Sequence, residues 1–239
     1  MKRGEPDPFR LSVARLFDTL PVIVEGQWMG ADPPSIHPDE AAQVEGAVHR
    51  RRVEFATGRS CARRALARLG IEDFVLRSDP ASRAPQWPSG VVGSITHTGP
   101  VPGGYCGVAV AATQDLLTVG FDAEAGELLS PDLWSQVLTP AESARLLTFA
   151  PARRPRLARL AFSAKECFYK AQFPVTRRFL GFEDVEVSID ESSSTFEVRV
   201  VRGESVKSPF ERCRGQYVDS PEMVHTGIAL PARGMAGAT

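Results

Sequence analysis

The chain has 239 residues, of which 43% are hydrophobic and 24% charged, and its formal net charge is −1. This composition excludes a disordered chain, which has fewer core residues and a larger net charge. The balance of 28 basic and 29 acidic residues excludes a nucleic-acid binder that works by bulk positive charge. No apolar run reaches the length of a membrane span, and the N-terminus has acids and prolines where a signal peptide is apolar. We therefore expect a cytoplasmic protein without nucleic-acid or membrane partners.

The first half of the sequence predicts strands and helices in the following order. They are a short helix near Phe9–Phe17, a strand at Pro21–Trp28, a helical segment from His37 to Leu69 with Gly46 and Gly58 as possible breaks and Gly70 as its end, a short strand at Val91–Val92, a loop with the sequence GSITHTGPVPGG, and a strand at Tyr105–Ala112. A polar turn follows at Thr113–Asp115. We place a boundary there, which divides the chain into an N-terminal half, residues 1–113, and a C-terminal half, residues 114–239.

The second half predicts two more helices and a series of strands. Ser130-Pro131 and the capping box at Thr139–Glu142 each begin a helical segment, and a basic loop at Ala150–Pro155 precedes a helix at Arg156–Ala171. The strands are Leu116–Glu124, Val185–Ile189, Phe196–Val200, Arg212–Val218 and Met223–Leu230. Helices and mainly sequential strands in these proportions indicate an α+β fold. The four cysteines are far apart in the sequence, which favours buried, reduced thiols.

The long first helix carries arginines on its apolar side. At 100° per residue, Arg51 and Arg59 fall within the stripe formed by Val48, Phe55, Ala62, Leu66 and Leu69. An arginine on a packing face either extends to the edge of that face, pairs with an internal acid, or meets an anion. Both the structural and the anion-binding interpretations stay open from the pattern alone.

Two carboxylates lie on one side of a predicted strand. Asp122 and Glu124, in the sequence VGFDAE, are two residues apart and therefore point the same way. Neighbouring carboxylates repel each other unless a cation intervenes, and oxygen ligands suit Mg²⁺. The alternative is an ordinary exposed end of a strand.

Two of the four lysines of the chain, Lys165 and Lys170, lie in the segment FSAKECFYKA, although arginine supplies almost every other positive charge. Glu166 and Lys170 are four residues apart on one helical face, which is also the spacing of a common surface ion pair. Lysine is a compact charge for a phosphate oxygen, and Glu166 would add a third carboxylate to a metal site. The segment GSITHTG supplies hydroxyls and His97, a residue that can donate to a phosphate or be simply solvated.

In their order and spacing, the segments RRVEFATGRSCARRAL, PQWPSGVVGSITHT, VGFDAE and FSAKECFYKAQFP, followed by LGFED, resemble the 4'-phosphopantetheinyl transferase superfamily. The resemblance is to the large monomeric type, related to the enterobactin-synthesis and surfactin-synthesis enzymes, and it covers about Arg50 to Asp184. Three features depart from this type. Thr98 replaces a frequent cysteine, Arg83 replaces a frequent lysine, and the loop Ser78–Ser82 is slightly longer.

The resemblance implies two similar α+β halves related by a pseudo-twofold axis, with the site in the cleft between them. It implies Mg²⁺-dependent transfer of 4'-phosphopantetheine from coenzyme A to a serine of an apo acyl or peptidyl carrier protein, with adenosine 3',5'-bisphosphate as by-product, by a monomer. The implied metal site comprises Asp122, Glu124 and Glu166, with the Ala123 backbone orienting a metal-bound water.

The resemblance also assigns a role to individual residues. Glu166 would take the serine proton, directly or through water; Lys170 would hold the pyrophosphate; and Lys165 would protonate the leaving phosphate. The implied coenzyme A contacts are His97, Arg51 and Arg59 at the 3'-phosphate, Arg83 and the Thr96 backbone at the adenine-ribose side, Asp122, Glu166 and Lys170 at the pyrophosphate, and Leu180 near the pantetheine.

Two other classes of function remain open, a metal-dependent nucleotide phosphohydrolase and a non-catalytic coenzyme A-binding protein. The carboxylate trio favours an enzyme, since binding alone needs no metal. A carrier protein that is acidic around its acceptor serine would need a local basic surface on this near-neutral chain. The sequence indicates Arg153, Arg154, Arg156 and Arg159, because no acid lies between Glu142 and Glu166.

Overall fold

The computed structural model describes Val13 and residues 15–17, 19–126, 129–202 and 209–232. Within these residues two antiparallel sheets form the framework, with strand orders β1-β3-β2 and β4-β8-β7-β6-β5. The strands are β1 Ile23–Trp28, β2 Val91–Thr98, β3 Tyr105–Ala112, β4 Leu116–Ala125, β5 Val185–Asp190, β6 Thr195–Val200, β7 Arg212–Asp219 and β8 Met223–Pro231. The two sheets and their helices confirm the predicted α+β class.

Five α-helices lie in the described part of the chain. They are α1 Pro38–Ala41, α2 His49–Arg68, α3 Trp134–Val137, α4 Pro140–Leu147 and α5 Arg154–Thr176. Short 3₁₀ turns occur at Arg15–Phe17, Ala42–Val44, Pro131–Leu133, Pro151–Arg153 and Phe182–Asp184. The predicted capping box is present, since Thr139 accepts from the Glu142 N–H and Glu142 accepts from the Thr139 N–H. None of the helices described is both long and apolar enough to cross a membrane.

Each sheet is covered by one long helix. Helix α2 packs Val53, Ala62 and Leu66 against Val108 and Val110 of β3. Helix α5 covers the second sheet, and its apolar residues form a core with those of β5 to β8, including Leu160, Ala164, Phe168, Phe196, Val198 and Ile228. The C-terminal part of β4 lies between α5 and strand β2 of the first sheet.

Gly120 allows α5 to approach β4 closely. A Cβ atom at this position would lie 2.2 Å from the Cys167 carbonyl oxygen and 2.9 Å from the Ala171 Cβ. Thr118 strengthens the same contact, because its hydroxyl donates to the Ala171 carbonyl at 2.7 Å. The absence of a side chain at Gly120 therefore fixes the distance between the helix that carries Glu166 and Lys170 and the strand that carries Asp122.

Three predictions about the elements are wrong. The helical segment from His37 to Leu69 is interrupted between Val44 and His49, which confirms the possible break at Gly46, whereas the helix continues through Gly58. Val48 is an exposed residue before α2 rather than part of a packing stripe. The strand predicted at Val91–Val92 continues to Thr98, so the first part of the predicted loop is extended and pairs with β3. Helix α5 begins at Arg154, two residues before its predicted start.

Some predictions fall partly or wholly outside this test. Of the helix predicted near Phe9–Phe17, the described residues are Val13 and the 3₁₀ turn Arg15–Phe17, and the remainder lies outside the described residues. The boundary near Thr113 stays a prediction. The turn at that position connects β3 to β4, which belong to different sheets.

Candidate active site

Side-chain hydroxyls connect strand β2 of the first sheet to strand β4 of the second. Ser94 Oγ accepts from the Phe121 N–H at 3.1 Å and donates to the Phe121 carbonyl at 3.2 Å. Thr96 Oγ1 accepts from the Ala123 N–H at 3.3 Å, and Thr98 Oγ1 accepts from the Ala125 N–H at 3.1 Å. The side chains of alternate β2 residues thus make the hydrogen bonds to the β4 backbone that another strand's backbone would make within a sheet. We call these three residues, Ser94, Thr96 and Thr98, the hydroxyl seam.

The same hydroxyls hold the two carboxylates predicted on β4. Thr96 donates to Asp122 Oδ1 at 2.9 Å, and Thr98 donates to Glu124 Oε2 at 2.9 Å. Asp122 is 1% exposed, so the alternative of an exposed strand end is wrong for this residue. Ser163 of α5 donates to the second carboxylate oxygen of Asp122, Oδ2, at 2.7 Å. Neither the threonines nor Ser163 were predicted to bind the carboxylates.

Lys170 contributes the positive charge of this cluster. Its Nζ lies 2.5 Å from Asp122 Oδ1 and 3.3 Å from Thr96 Oγ1. Burial opposes the ammonium charge, but Asp122 and Glu166 together outweigh it and raise the pKa of Lys170. The lysine therefore stays charged in a site that would otherwise contain only negative groups.

The three carboxylates carry more negative charge than Lys170 can neutralise. Burial, followed by the repulsion of Asp122, raises the pKa of Glu124 to about 8. Burial also raises the pKa of Glu166, with Asp122 acting in the same direction and Lys170 in the opposite one. Buried like charges of this kind are stabilised by a further cation.

The donor set suits a hard divalent cation, because Asp122, Glu124 and Glu166 offer only carboxylate oxygens. In the part of the chain that the structure describes, no three His, Cys, Asp or Glu side chains lie at metal-binding spacing. Lys170 contacts Asp122 directly in this arrangement. The chemistry of the residues thus fits Mg²⁺, and the predicted ligand set stays a prediction. The side chain of Ala123 is fully buried, so only its backbone could serve such a site.

Lys165 lies on the other side of α5 and is engaged elsewhere. Its side chain is 1% exposed, and its Nζ donates to Glu142 Oε2 at 2.7 Å. It also donates to the carbonyl oxygens of Val137 at 2.8 Å and Phe182 at 2.7 Å. All three N–H donors are used in this arrangement, so Lys165 stabilises the contact of α5 with Val137, Glu142 and Phe182, and its role as a proton donor stays a prediction.

A basic group lies at the same end of β2, around His97 between Thr96 and Thr98, with an acid that the sequence analysis missed. Arg51 Nη1 lies 3.3 Å from His97 Nε2, and both side chains are partly exposed. Glu54 contacts both, at 3.7 Å from Arg51 and 4.0 Å from His97, and it also pairs with Arg50 at 2.8 Å. The spacing of Glu54 from Arg50 and Arg51 is the available signal for this ion pair. His97 lies on strand β2 and not in the predicted loop.

Arg59 is the buried member of the basic group. It lies 4.2 Å above the Phe55 ring and donates from Nη2 to Ser78 Oγ at 2.8 Å. Within the described residues, its Nε has no hydrogen-bond partner. Burial, aided by the charge of Arg51 and opposed by Glu40, lowers the pKa of Arg59 to about 10. An anion at this position would accept a hydrogen bond from the unpaired Nε and would offset the free-energy cost of burying the guanidinium charge.

Arg83 lies in the loop that Arg59 contacts. The segment from Ser78 to Pro85 forms a tight turn closed by a bridge between these two residues, and Arg83 is exposed with a φ of 60°. Arg177 of the opposite half lies close enough to Asp79 to contribute to the lowered pKa of that carboxyl, after its hydrogen bonds from Ser82. The loop therefore faces the end of α5.

A cavity of about 240 Å³ adjoins Glu166. Its walls are mostly apolar and come from α5 and the segment that follows it, including Phe168, Tyr169, Phe179, Leu180 and Phe182. Leu180 is buried, whereas Phe179 is 79% exposed. The cavity provides an apolar channel beside a carboxylate.

Most of the basic segment near the start of α5 is paired with acids. Arg156 pairs with Asp219 at 2.5 Å, and the buried Arg159 pairs with the same residue at 3.3 Å. Arg153 pairs with Glu191. The sequence showed no acid near these arginines, because the acids come from β7 and from the turn after β5. Within the part of the chain that the structure describes, Arg154 donates only to the backbone carbonyls of Phe149 and Leu147, so its charge is not paired with an acid. The role of this segment in docking a carrier stays a prediction.

Comparisons with known proteins agree with the resemblance. The family model described as the 4'-phosphopantetheinyl transferase N-terminal domain matches residues 39–111, and that of the 4'-phosphopantetheinyl transferase superfamily matches residues 118–218. The chain is 41% identical to the 4'-phosphopantetheinyl transferase Svp of Streptomyces mobaraensis, over 84% of this chain and 81% of the relative.

Two further relatives are similar over different lengths. The 4'-phosphopantetheinyl transferase PptT of Mycobacterium tuberculosis is 36% identical, over 84% of this chain and 89% of that protein. The enterobactin synthase component D of Escherichia coli K12 is 34% identical, over 54% of this chain and 59% of that protein. The similarity therefore extends over both sheets.

Proposed function

The chain belongs to the 4'-phosphopantetheinyl transferase superfamily, and from this premise we propose how its residues transfer phosphopantetheine from coenzyme A to a serine of an apo carrier protein. The observation that carries the proposal is the cluster that the buried Asp122 forms with the partly buried Lys170 and Glu166. Residues from both halves of one chain form the site, so we propose a monomer as the active form. Four free, buried thiols favour a reducing, cytoplasmic compartment.

Glu166 is the proposed base. It accepts the proton of the acceptor serine, whose oxygen then bonds to the phosphorus on the pantetheine side of the pyrophosphate. The bond from that phosphorus to the bridging oxygen breaks, and adenosine 3',5'-bisphosphate leaves. The raised pKa of Glu166 brings its proton affinity closer to that needed at neutral pH. Lys170 holds a pyrophosphate oxygen and stabilises the charge that develops there.

Asp122 orients the ammonium group of Lys170. Its two oxygens are fixed by Thr96, Ser163 and Lys170, so the lysine ammonium is aimed before substrate arrives. Asp122, Glu124 and Glu166 would hold Mg²⁺, which would supply positive charge to neutralise the pyrophosphate. The backbone of Ala123 would orient a water in that site. Lys165 has no step in this mechanism, because its donors are satisfied elsewhere.

The 3'-phosphate of coenzyme A is proposed to bind among Arg51, Arg59 and His97. The orphan Nε of Arg59 and its burial support an anion at this position. The turn containing Arg83, together with the Thr96 backbone, would bind the adenine-ribose side. The cavity wall at Leu180 would accept the pantetheine arm, since it is apolar and begins beside Glu166.

Mass spectrometry of an apo carrier protein incubated with coenzyme A, Mg²⁺ and the enzyme tests the transfer. We expect the carrier mass to rise by about 340 Da, the phosphopantetheine group of this chemistry, on the acceptor serine only. A carrier with that serine changed to alanine is the control. Release of phosphate or pantetheine with no change in carrier mass would favour a phosphohydrolase and contradict the proposal.

The 3'-phosphate site has a separate test. Wild-type enzyme should bind coenzyme A more tightly than dephospho-coenzyme A, and Arg59→Ala and His97→Ala should each reduce this preference at least tenfold. Arg68→Ala, on the same helix but paired with Glu25, is the matched control. A preference that survives in both variants would place the phosphate elsewhere.

A further inference from the structure

We propose that Val175, Arg177 and Phe179, which we call the Phe179 rim, form the surface on which the folded carrier protein docks. The rim lies where α5 ends, since Arg177 adopts a left-handed conformation with a φ of 56° and caps the helix. The inference rests on the proposed function, because it requires an acceptor serine that reaches Glu166.

The apolar residues of the rim are unusually exposed for their type. Phe179 is 79% exposed and Val175 is 42% exposed, and only four positions separate them. Isolated apolar residues on a surface are common, but an aromatic residue beside an apolar cavity is a frequent centre of an interface. Covering the exposed phenylalanine ring removes apolar surface from water, so this surface gains from being covered.

A series of aromatic rings joins the rim to the proposed base. Tyr169 packs edge-on against Phe179, with 5.9 Å between ring centroids, and stacks on Phe173 at 5.2 Å. Glu166, Tyr169 and Phe173 are three and four residues apart on α5 and therefore share one face. Glu166 and Phe179 line the same cavity. A protein seated on the rim would thus have its contact surface beside the carboxylate that must accept its serine proton.

The charge of the rim fits an acidic partner. The rim carries the positive charge of Arg177, and the sequence contains no acid between Glu166 and Glu183. Arg177 is exposed, and Asp79, across from it, is the carboxyl whose pKa its charge helps to lower. At the beginning of α5, Arg153, Arg156 and Arg159 are paired with Glu191 or Asp219, which reduces the charge available there. The end of α5 is therefore the surface that combines positive charge with exposed apolar residues beside Glu166.

The occupant is the carrier and not coenzyme A or a second copy of this chain. A transferred group must pass from the cleft to the serine, so the carrier has to cover the mouth of the cavity while the reaction proceeds. The rim combines an apolar centre with positive charge, whereas a self-association surface would need a matching acid on the same face.

The test measures binding of a folded carrier whose acceptor serine is replaced by alanine, in the presence of coenzyme A, by isothermal titration calorimetry. Phe179→Ser should weaken this binding at least tenfold, and Arg177→Glu should weaken it further as salt is lowered. Leu147→Ser is the matched control, since Leu147 is 59% exposed on α4 and away from the rim. Its effect should be less than twofold.

Other outcomes would overturn the inference. Carrier affinities within twofold of wild type in both rim variants would exclude this surface, while transfer by the wild-type enzyme would still support the proposed function. An equal loss of coenzyme A affinity in Phe179→Ser would make the residue part of the coenzyme A pocket instead. If the wild-type enzyme neither binds nor modifies any carrier, the proposed function and the docking surface both fail.

Discussion

Asp122 has three side-chain hydrogen-bond partners from two elements, and this arrangement makes it the centre of the proposed site. Thr96 comes from β2, while Ser163 and Lys170 come from α5. A carboxylate held on both oxygens cannot move to compensate for a change in its neighbours. Asp122 therefore links its own strand β4 to helix α5 and to strand β2 of the first sheet.

We expect Asp122→Ala and Glu166→Ala each to lower kcat/KM at least ~100-fold, the scale for loss of one charge-stabilising group. EDTA should stop the wild-type reaction, and Mg²⁺ should restore it. Measured rates of phosphopantetheine transfer in millimolar Mg²⁺ check both statements. Glu197→Ala, an exposed carboxylate on β6, is the control, and a near-wild-type rate in either site variant would contradict the assignment.

Lys165 provides a second residue-scale prediction, because the ion pair with Glu142 is buried on both sides. Lys165→Ala should lower the free energy of unfolding by about 3–5 kcal/mol, since it leaves Glu142 charged and without its partner. Urea unfolding measures this loss. A proton donor would instead show normal stability with a reduced kcat, so that result would restore the role that the family resemblance implies.

At the scale of elements, the close packing of α5 on β4 determines where Glu166 and Lys170 lie relative to Asp122. The helix was predictable from its periodicity, and its contact with Gly120 was not. The reason is that a glycine in a strand has several explanations, and only the neighbouring Cys167 carbonyl and Ala171 side chain distinguish them. The capping box at Thr139 was predictable for the same reason as the helix, because all its partners lie within four residues.

Gly120→Ala should therefore displace α5. The added methyl group would overlap the Cys167 carbonyl, and we expect a loss of about 1–3 kcal/mol of stability together with a reduced kcat. Gly46→Ala is the control, since a Cβ there has no atom within 4 Å. Thermal unfolding and transfer rates, measured on both variants, compare the two. Equal stability of the variants would show that the helix does not depend on this contact.

Strand β2 shows what the sequence could not reveal at the same scale. Tyr105–Ala112 was recognised with correct bounds because it is a continuous apolar run between turns. The sequence GSITHT has glycine and hydroxyls where a strand usually has apolar residues, which favoured a loop. Its Ser94, Thr96 and Thr98 are polar because they face another strand's backbone, 27 residues or so further along the chain. That partner is visible only in three dimensions.

At the scale of the whole molecule, the hydroxyl seam joins the two sheets. It also contacts the proposed site, because Thr96 and Thr98 donate to Asp122 and Glu124. Thr96→Val should lower the free energy of unfolding by about 1–3 kcal/mol, because it leaves the buried Ala123 N–H without its acceptor. It should also slow transfer, since Asp122 loses a donor. Thr113→Val, at an exposed turn, should change stability by less than about 0.5 kcal/mol. Unchanged unfolding of Thr96→Val would mean that the seam contributes little to the union of the halves.

The hydroxyl seam has a consequence for how this protein can be altered. Backbone hydrogen bonds between two strands do not depend on the identity of the residues, because every residue except proline supplies the same donor and acceptor. Here the donors and acceptors that β2 presents to β4 belong to side chains, so single-codon changes can add or remove them one at a time. Directed evolution can therefore alter the contact between the two sheets in small steps, one hydrogen bond at a time.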